Sequence, residues 1–130
     1  RRYILDLAAG APVSLLKQEI RIIVGDDLEL RPTFMKIDVE GFVASVIQGA
    51  TKTLSNPSLV ALMLETVDTG VLAVLEHHGF KRYAYDPFAR SLSPPDPTLQ
   101  ECNQLFVRNL GLVSKRVSEA ATVRVLGVDL

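Results

Sequence analysis

Asp38, Glu40 and Glu65 are the residues whose type and setting could do chemistry, because each follows a short apolar run and precedes helical spacing. In open α/β sheets, ligands bind outside the carboxyl ends of the strands, where such residues stand. A carboxylate placed there can take a proton from a bound group, or help hold a hard divalent cation, which favours oxygen ligands. A plainer role also suits these residues: acidic side chains ahead of a helix cap its free amides and complement its dipole.

The elements that must position them follow from the apolar pattern. Phe34 to Asp38 reads as a buried strand. Phe42, Val43, Val46, Ile47, Ala50 and Leu54 then recur at three and four residues, the face of one helix that stops at Asn56-Pro57, with Gly49 as a weak point inside it. Leu59 to Glu65 is a second buried strand. Val71, Leu72, Val74 and Leu75 mark a second helix ending at Gly79, and Phe80 to Asp86 is the next strand. A loop rich in Pro and Ser runs from Pro87 to Cys102, with a short extended piece at Arg90 to Ser93, before a last strand at Gln104 to Arg108. Right-handed crossovers make the helix-linked strands parallel, and the loop-connected final pair can run antiparallel. The expected fold is α/β: part of a doubly wound, Rossmann-like sheet, mostly parallel with a final antiparallel strand. Beyond Asn109, Leu112, Val113, Val117 and Ala120 suggest a short amphipathic helix, followed by a strand-like piece at Val123 to Val125. Tyr3 to Leu7, Val13 to Lys17 and Ile20 to Val24 could form strand, helix and strand.

With 130 residues, 48% of them hydrophobic, the chain can close one ordinary core, so residues 1–130 read as a single domain or a piece of one. Net charge is -1 and the basic residues are scattered, which removes the electrostatic footprint of a nucleic-acid binder. The longest apolar run, Leu59 to Leu64, is too short to span a bilayer, and Arg1-Arg2-Tyr3 opens no secretory leader. Cys102 is the single cysteine; it can form no internal disulfide, fits a reducing compartment and makes a zinc site improbable. These features set the expectation of a cytoplasmic protein free of membrane and nucleic acid.

The stretch from Asp26-Asp27 to Lys36-Ile37-Asp38-Val39-Glu40-Gly41 resembles the central motif of FkbM-type methyltransferases. The resemblance continues through Ser45-Val46-Ile47-Gln48-Gly49-Ala50, Leu62-Met63-Leu64-Glu65, His78-Gly79-Phe80 and Asn103-Gln104-Leu105-Phe106-Val107, so it covers about residues 26–108 and leaves 109–130 as a tail without assigned role. It implies a doubly wound methyltransferase sheet, S-adenosylmethionine as methyl donor, and a hydroxyl oxygen of a small molecule or sugar as acceptor. Transfer to an alcohol needs the oxygen aligned behind the methyl carbon, stripped of water, and a base for its proton. On this reading Asp38 lies nearest the reacting centre and the cofactor, Glu40 orients or deprotonates the acceptor, and Glu65 supports the substrate from behind. A divalent cation held by the carboxylates is the alternative.

The loop after Asp86 leaves the sheet at the same edge as Asp38, so Tyr85, Arg90 and Asn103 are candidates for shaping an acceptor pocket, although Pro94, Pro95 and Pro97 also suit an ordinary surface excursion. Lys36 lies within the first strand, where a salt bridge or a snorkelled position is expected. Asp26 and Asp27 suit the capping of a turn. His77 and His78 end a helix that starts at the ligand edge and so belong at the opposite edge, favoured there by the helix dipole. Cys102 receives no role.

Methyltransferases of this architecture cradle the cofactor with a glycine-rich turn after the first strand. Ile4-Leu5-Asp6-Leu7-Ala8-Ala9-Gly10-Ala11 echoes that turn with one glycine, and Pro12 follows where the backbone needs room. From Leu5 to Phe34 there is space for about one crossover unit, which takes roughly thirty residues. The expectation is therefore the carboxyl-terminal half of such a domain, its first strand left with an unpaired edge that invites a second copy or a complementing chain. Two other classes stay open: a noncatalytic remnant or partner-dependent subunit, and an α/β module that binds a small ligand.

Overall fold

The computed structural model describes residues 23–96 and 103–129. Tyr3 to Leu7, Val13 to Lys17, the glycine-containing turn at Ile4 to Ala11, all but the end of Ile20 to Val24, Pro97 and Cys102 lie outside them. Five strands form one sheet: β1 (Phe34–Ile37), β2 (Ala61–Leu64), β3 (Lys81–Asp86), β4 (Ser91–Ser93) and β5 (Gln104–Val107), in the order β1-β2-β5-β3-β4. Four helices accompany it: α1 (Val43–Gln48), α2 (Thr51–Ser55), α3 (Thr69–His77) and α4 (Leu110–Glu119).

The α/β class holds, but the expectation of a mostly parallel sheet needs correction. Only β1 and β2 pair in parallel; β2 with β5, β5 with β3, and β3 with β4 are all antiparallel. The reason lies in the connections. Helical crossovers keep β1, β2 and β3 pointing one way, whereas β4 returns by a tight hairpin and β5 enters against both neighbours.

The faces of the sheet are unequal. Ile37, Leu62, Leu64 and Phe106 alternate onto one face and pack with Val43, Ile47, Leu54, Val71, Leu75 and Phe80 into the core, beneath α1, α2 and α3. On the other face Phe34, Ala61 and Val107 share a row; the last two are buried, while Phe34 keeps 48% of its surface exposed. α4 lies over this second face.

Helix α3 shows both of its ends in local chemistry. Asp68 accepts a 2.7 Å hydrogen bond from Val71 N at the start. At the finish Gly79 takes φ 81°, a conformation L side chains rarely adopt, and Phe80 N returns to Leu75 O at 3.0 Å. The first helix differs from its periodicity: it is two short helices, because Asp26 inserts into the ladder between them. Asp26 N donates to Gly49 O at 3.0 Å, while its carboxylate accepts from Lys52 N at 2.8 Å and from Thr53 N and Thr53 Oγ1, both at 2.9 Å. Partners that a continuous helix would give to itself go to Asp26, so the helix breaks at Gly49-Ala50. Asp26 thus caps α2 from a short 3-10 turn, Gly25–Leu28, that is distant in sequence. Past α4 a small hairpin pairs β6 (Arg124–Val125) with β7 (Val128–Asp129) through Leu126 and Gly127, both at positive φ.

Arg108 fastens β5 in place. Its Nη1 donates to Leu54 O at 2.8 Å, its Nη2 to Asn56 O and Leu59 O, and the guanidinium stacks 4.7 Å from the Phe80 ring centroid. A planar fork serves three carbonyls that a point-charge ammonium cannot. Arg108→Lys is expected to cost roughly 2 kcal/mol, read as a lowered urea midpoint with unchanged slope. Asp26→Ala should cost about 1 kcal/mol in the same measurement through loss of the α2 cap.

Candidate functional site

The strand registers assemble the site. Ile37 pairs with Leu64, Leu64 with Gln104, and Tyr83 with Leu105. Continued past the paired residues, by one position from Ile37, Leu64 and Gln104 and by two from Tyr83, these registers align Asp38, Glu65, Asn103 and Tyr85 across β1, β2, β5 and β3, at the edge where the three parallel strands end. Neighbouring strands lie about 4.8 Å apart, so the row spans roughly 14 Å. Alternation turns these four away from the α1-α3 core, toward the face that carries α4. Four of the six candidate residues from the sequence are thus brought into one line.

The electrostatics centre on Asp38 and Glu65. Lys36 Nζ donates to Asp38 Oδ2 at 2.7 Å, with both side chains about half exposed. This hydrogen bond, the Lys36 charge and a further hydrogen bond from Glu65 hold the Asp38 carboxyl below its ordinary value. Glu65 moves the other way. Its hydrogen bond with Asp38, the Asp38 charge, partial burial and the charge of Glu40 raise its proton affinity, against a smaller opposing effect of Lys36. Of two neighbouring carboxyls, one stays ionised and the other binds the proton more tightly.

Glu40 follows Val39 in the turn that leads into α1, and Gly41 completes that turn at φ 72°. The helix-cap role open to Asp38 and Glu40 is not taken: the cap position falls at Phe42, makes no side-chain cap bond, and the first turn of α1 holds no acidic residue. Lys36 forms the salt bridge expected of it. Arg90 stands apart from the row. Its Nε and Nη2 donate to Val117 O at 3.2 and 3.0 Å, and Nη2 also reaches Ala120 O, so its guanidinium closes the carboxyl end of α4. His77 and His78 end α3, edge to face at 5.4 Å, on the far side of the sheet from the row; burial, then the charges of His77 and Arg108, lower the proton affinity of His78.

A cleft of ≈ 490 Å³ opens between the second sheet face and α4, reaching from Phe34 and Ala61 at the amino ends of β1 and β2 to Tyr85, the one residue of the row that lines it. Phe34, Ala61, Val113 and Val117 supply apolar walls, and Tyr85 and Arg90 also line it. Sequence reading missed this cleft, since its walls meet only through tertiary packing; the apolar stripe on α4 was its only trace. Among the described residues no group of three or more His, Cys, Asp or Glu could hold a metal ion, and no helix is long and apolar enough to cross a membrane. Comparison with protein-family models, curated proteins and solved structures finds no match to this chain.

The pair has opposite linkage to stability. Asp38, with its folded-state value lowered, contributes stability above its ordinary 3.8 that is lost as the pH falls through the folded value. Glu65, with its folded-state value raised, contributes stability in its protonated form, lost as the pH rises through a value above 4.5. Glu65→Gln should therefore raise the melting temperature at neutral pH, and the gain should close as the medium is acidified and Glu65 itself becomes neutral. Thermal melts of both proteins across that range check this; a gain that persists unchanged in acid would contradict it.

Proposed function

We propose that this chain carries the acceptor side of an S-adenosylmethionine-dependent methyltransferase that methylates a hydroxyl oxygen of a small molecule. The observation that carries the reading is the Asp38-Glu65 pair, two carboxyls of divergent proton affinity at the carboxyl edge of an α/β sheet. The resemblance of Lys36 to Gly41 to the FkbM motif supports it, as does a last strand that runs antiparallel, which that resemblance implies.

The residues at the edge fit a cationic donor, since Asp38, Glu40 and Glu65 gather there against Lys36 alone. When bound, S-adenosylmethionine supplies an electrophilic methyl group on a positively charged sulfur. Asp38, held ionised by Lys36, presents the fixed negative charge that favours that cation. Glu65 has the higher proton affinity of the pair and is the better base: as a carboxylate it would accept the proton that the acceptor hydroxyl gives up on methylation. Asn103 and Tyr85, next in the row, offer an amide and a phenol to orient the acceptor. The roles thus shift from the sequence reading, in which Glu65 stood behind Asp38 and Glu40.

A second reading has its own observation. β1 is the edge of the described sheet, and Phe34 on it remains 48% exposed, which suits a subunit completed by a partner chain. Calorimetric titration of the chain with S-adenosylmethionine and with S-adenosylhomocysteine separates the two. Binding by the chain alone is expected from an autonomous enzyme; its absence would sink that and leave the partner-dependent subunit. In an active preparation Glu65→Gln should cut methyl transfer by about a hundredfold while cofactor affinity changes little. The wild-type rate should climb as the pH rises through the Glu65 value.

A further inference from the structure

The apolar cleft beside the catalytic row assigns the chemistry of the acceptor. We infer that it receives the flat, apolar body of an aromatic alcohol, whose hydroxyl points along the row toward Glu65; this rests on the methyltransferase reading above.

Three observations lead there. The cleft holds ≈ 490 Å³, within the span of about 300–1,000 Å³ typical of small-molecule sites. Its walls between the sheet and α4 are chiefly aliphatic or aromatic, from Phe34, Ala61, Val113, Val117 and Ala120. Of the two arginines that line it, Arg90 is turned to the carbonyls of Val117 and Ala120, and Arg116 comes from α4. Second, Tyr85 belongs to both places: it lines the cleft and ends the row, two strand spacings or roughly 10 Å from Glu65. A rigid ring system bridges that distance. Third, the β3-β4 turn that walls the near end is built firmly. Asp86 Oδ1 accepts from Phe88 N at 2.8 Å and Ala89 N at 2.9 Å, fixing the turn that sets Pro87 at the cleft. A sugar would bring hydroxyls all round against walls that are chiefly apolar, with only Thr33, Tyr85 and the two arginines to meet them, and burying unpaired polar groups is unfavourable.

The test uses the whole chain and two probes, 2-naphthol and D-glucose, titrated calorimetrically. Saturable binding of 2-naphthol and none of glucose is expected. Ala121 is an exposed residue lining the cleft just past α4, so Ala121→Phe fills the space without disturbing the core. That variant should weaken 2-naphthol about tenfold, with its circular dichroism unchanged. Binding of glucose in preference to 2-naphthol, no saturable binding of 2-naphthol, or an Ala121→Phe variant that binds it as well as the parent would each overturn the inference. Failure of the reaction reads differently: 2-naphthol bound at the cleft but never methylated in the presence of S-adenosylmethionine would support the site and sink an autonomous methyltransferase.

Discussion

The carboxyl edge of this protein depends on one constraint, that β5 enters the sheet between β2 and β3 and runs against both. Had it joined beyond β3, Asn103 would stand away from Glu65, and Tyr85 would follow Glu65 directly. With β5 inside, four polar side chains from strands far apart in sequence share one line, on the side of the sheet that α4 covers. The insertion is supported from the core face at two points. Phe106 reaches the core among Leu62, Leu64 and Phe80, and Arg108 ties the strand's far end to the α2-β2 connection.

Burial and charge divide the molecule cleanly. Among the described residues every buried side chain is apolar, so the core beneath α1 to α3 sets shape and no more. The acidic side chains with perturbed proton affinity lie at the rim: Asp26 over α2, where burial is outweighed by its amide and hydroxyl donors together, and Asp38 with Glu65 at the strand ends. The first of these serves the fold. The second pair lies at the strand ends, where Lys36 bonds one carboxyl and that carboxyl faces the other.

How much of this was legible beforehand follows the range of the interactions. Strands from Phe34, Leu59, Phe80 and Gln104, and the helix between Asp68 and Gly79, are written in local periodicity and end signals, and they stand where those signals put them. The carboxylates at the strand ends were legible for the same reason. Long-range capture was not. Asp26 breaks a helix lying more than twenty residues away, Arg90 is drawn to the carbonyls at the end of α4, and β5 chooses its neighbours by fitting Phe106 and Arg108. The inverted proton affinities of Asp38 and Glu65 also needed the pairing of β1 with β2, which places Lys36 beside one carboxyl and another carboxyl beside Glu65.

Arg108 carries a consequence beyond its hydrogen bonds. Side chains alternate along a strand, so a slip of β5 by a single residue would take Phe106 out of the core to the second face and turn Asn103 toward the α1-α3 side. The guanidinium at the strand's end meets the carbonyls of Leu54, Asn56 and Leu59 in only one of those settings. It therefore acts as an alignment key, distinguishing the correct seating of the strand from its nearest error, and it does so at the end of the strand opposite the residues whose alignment matters.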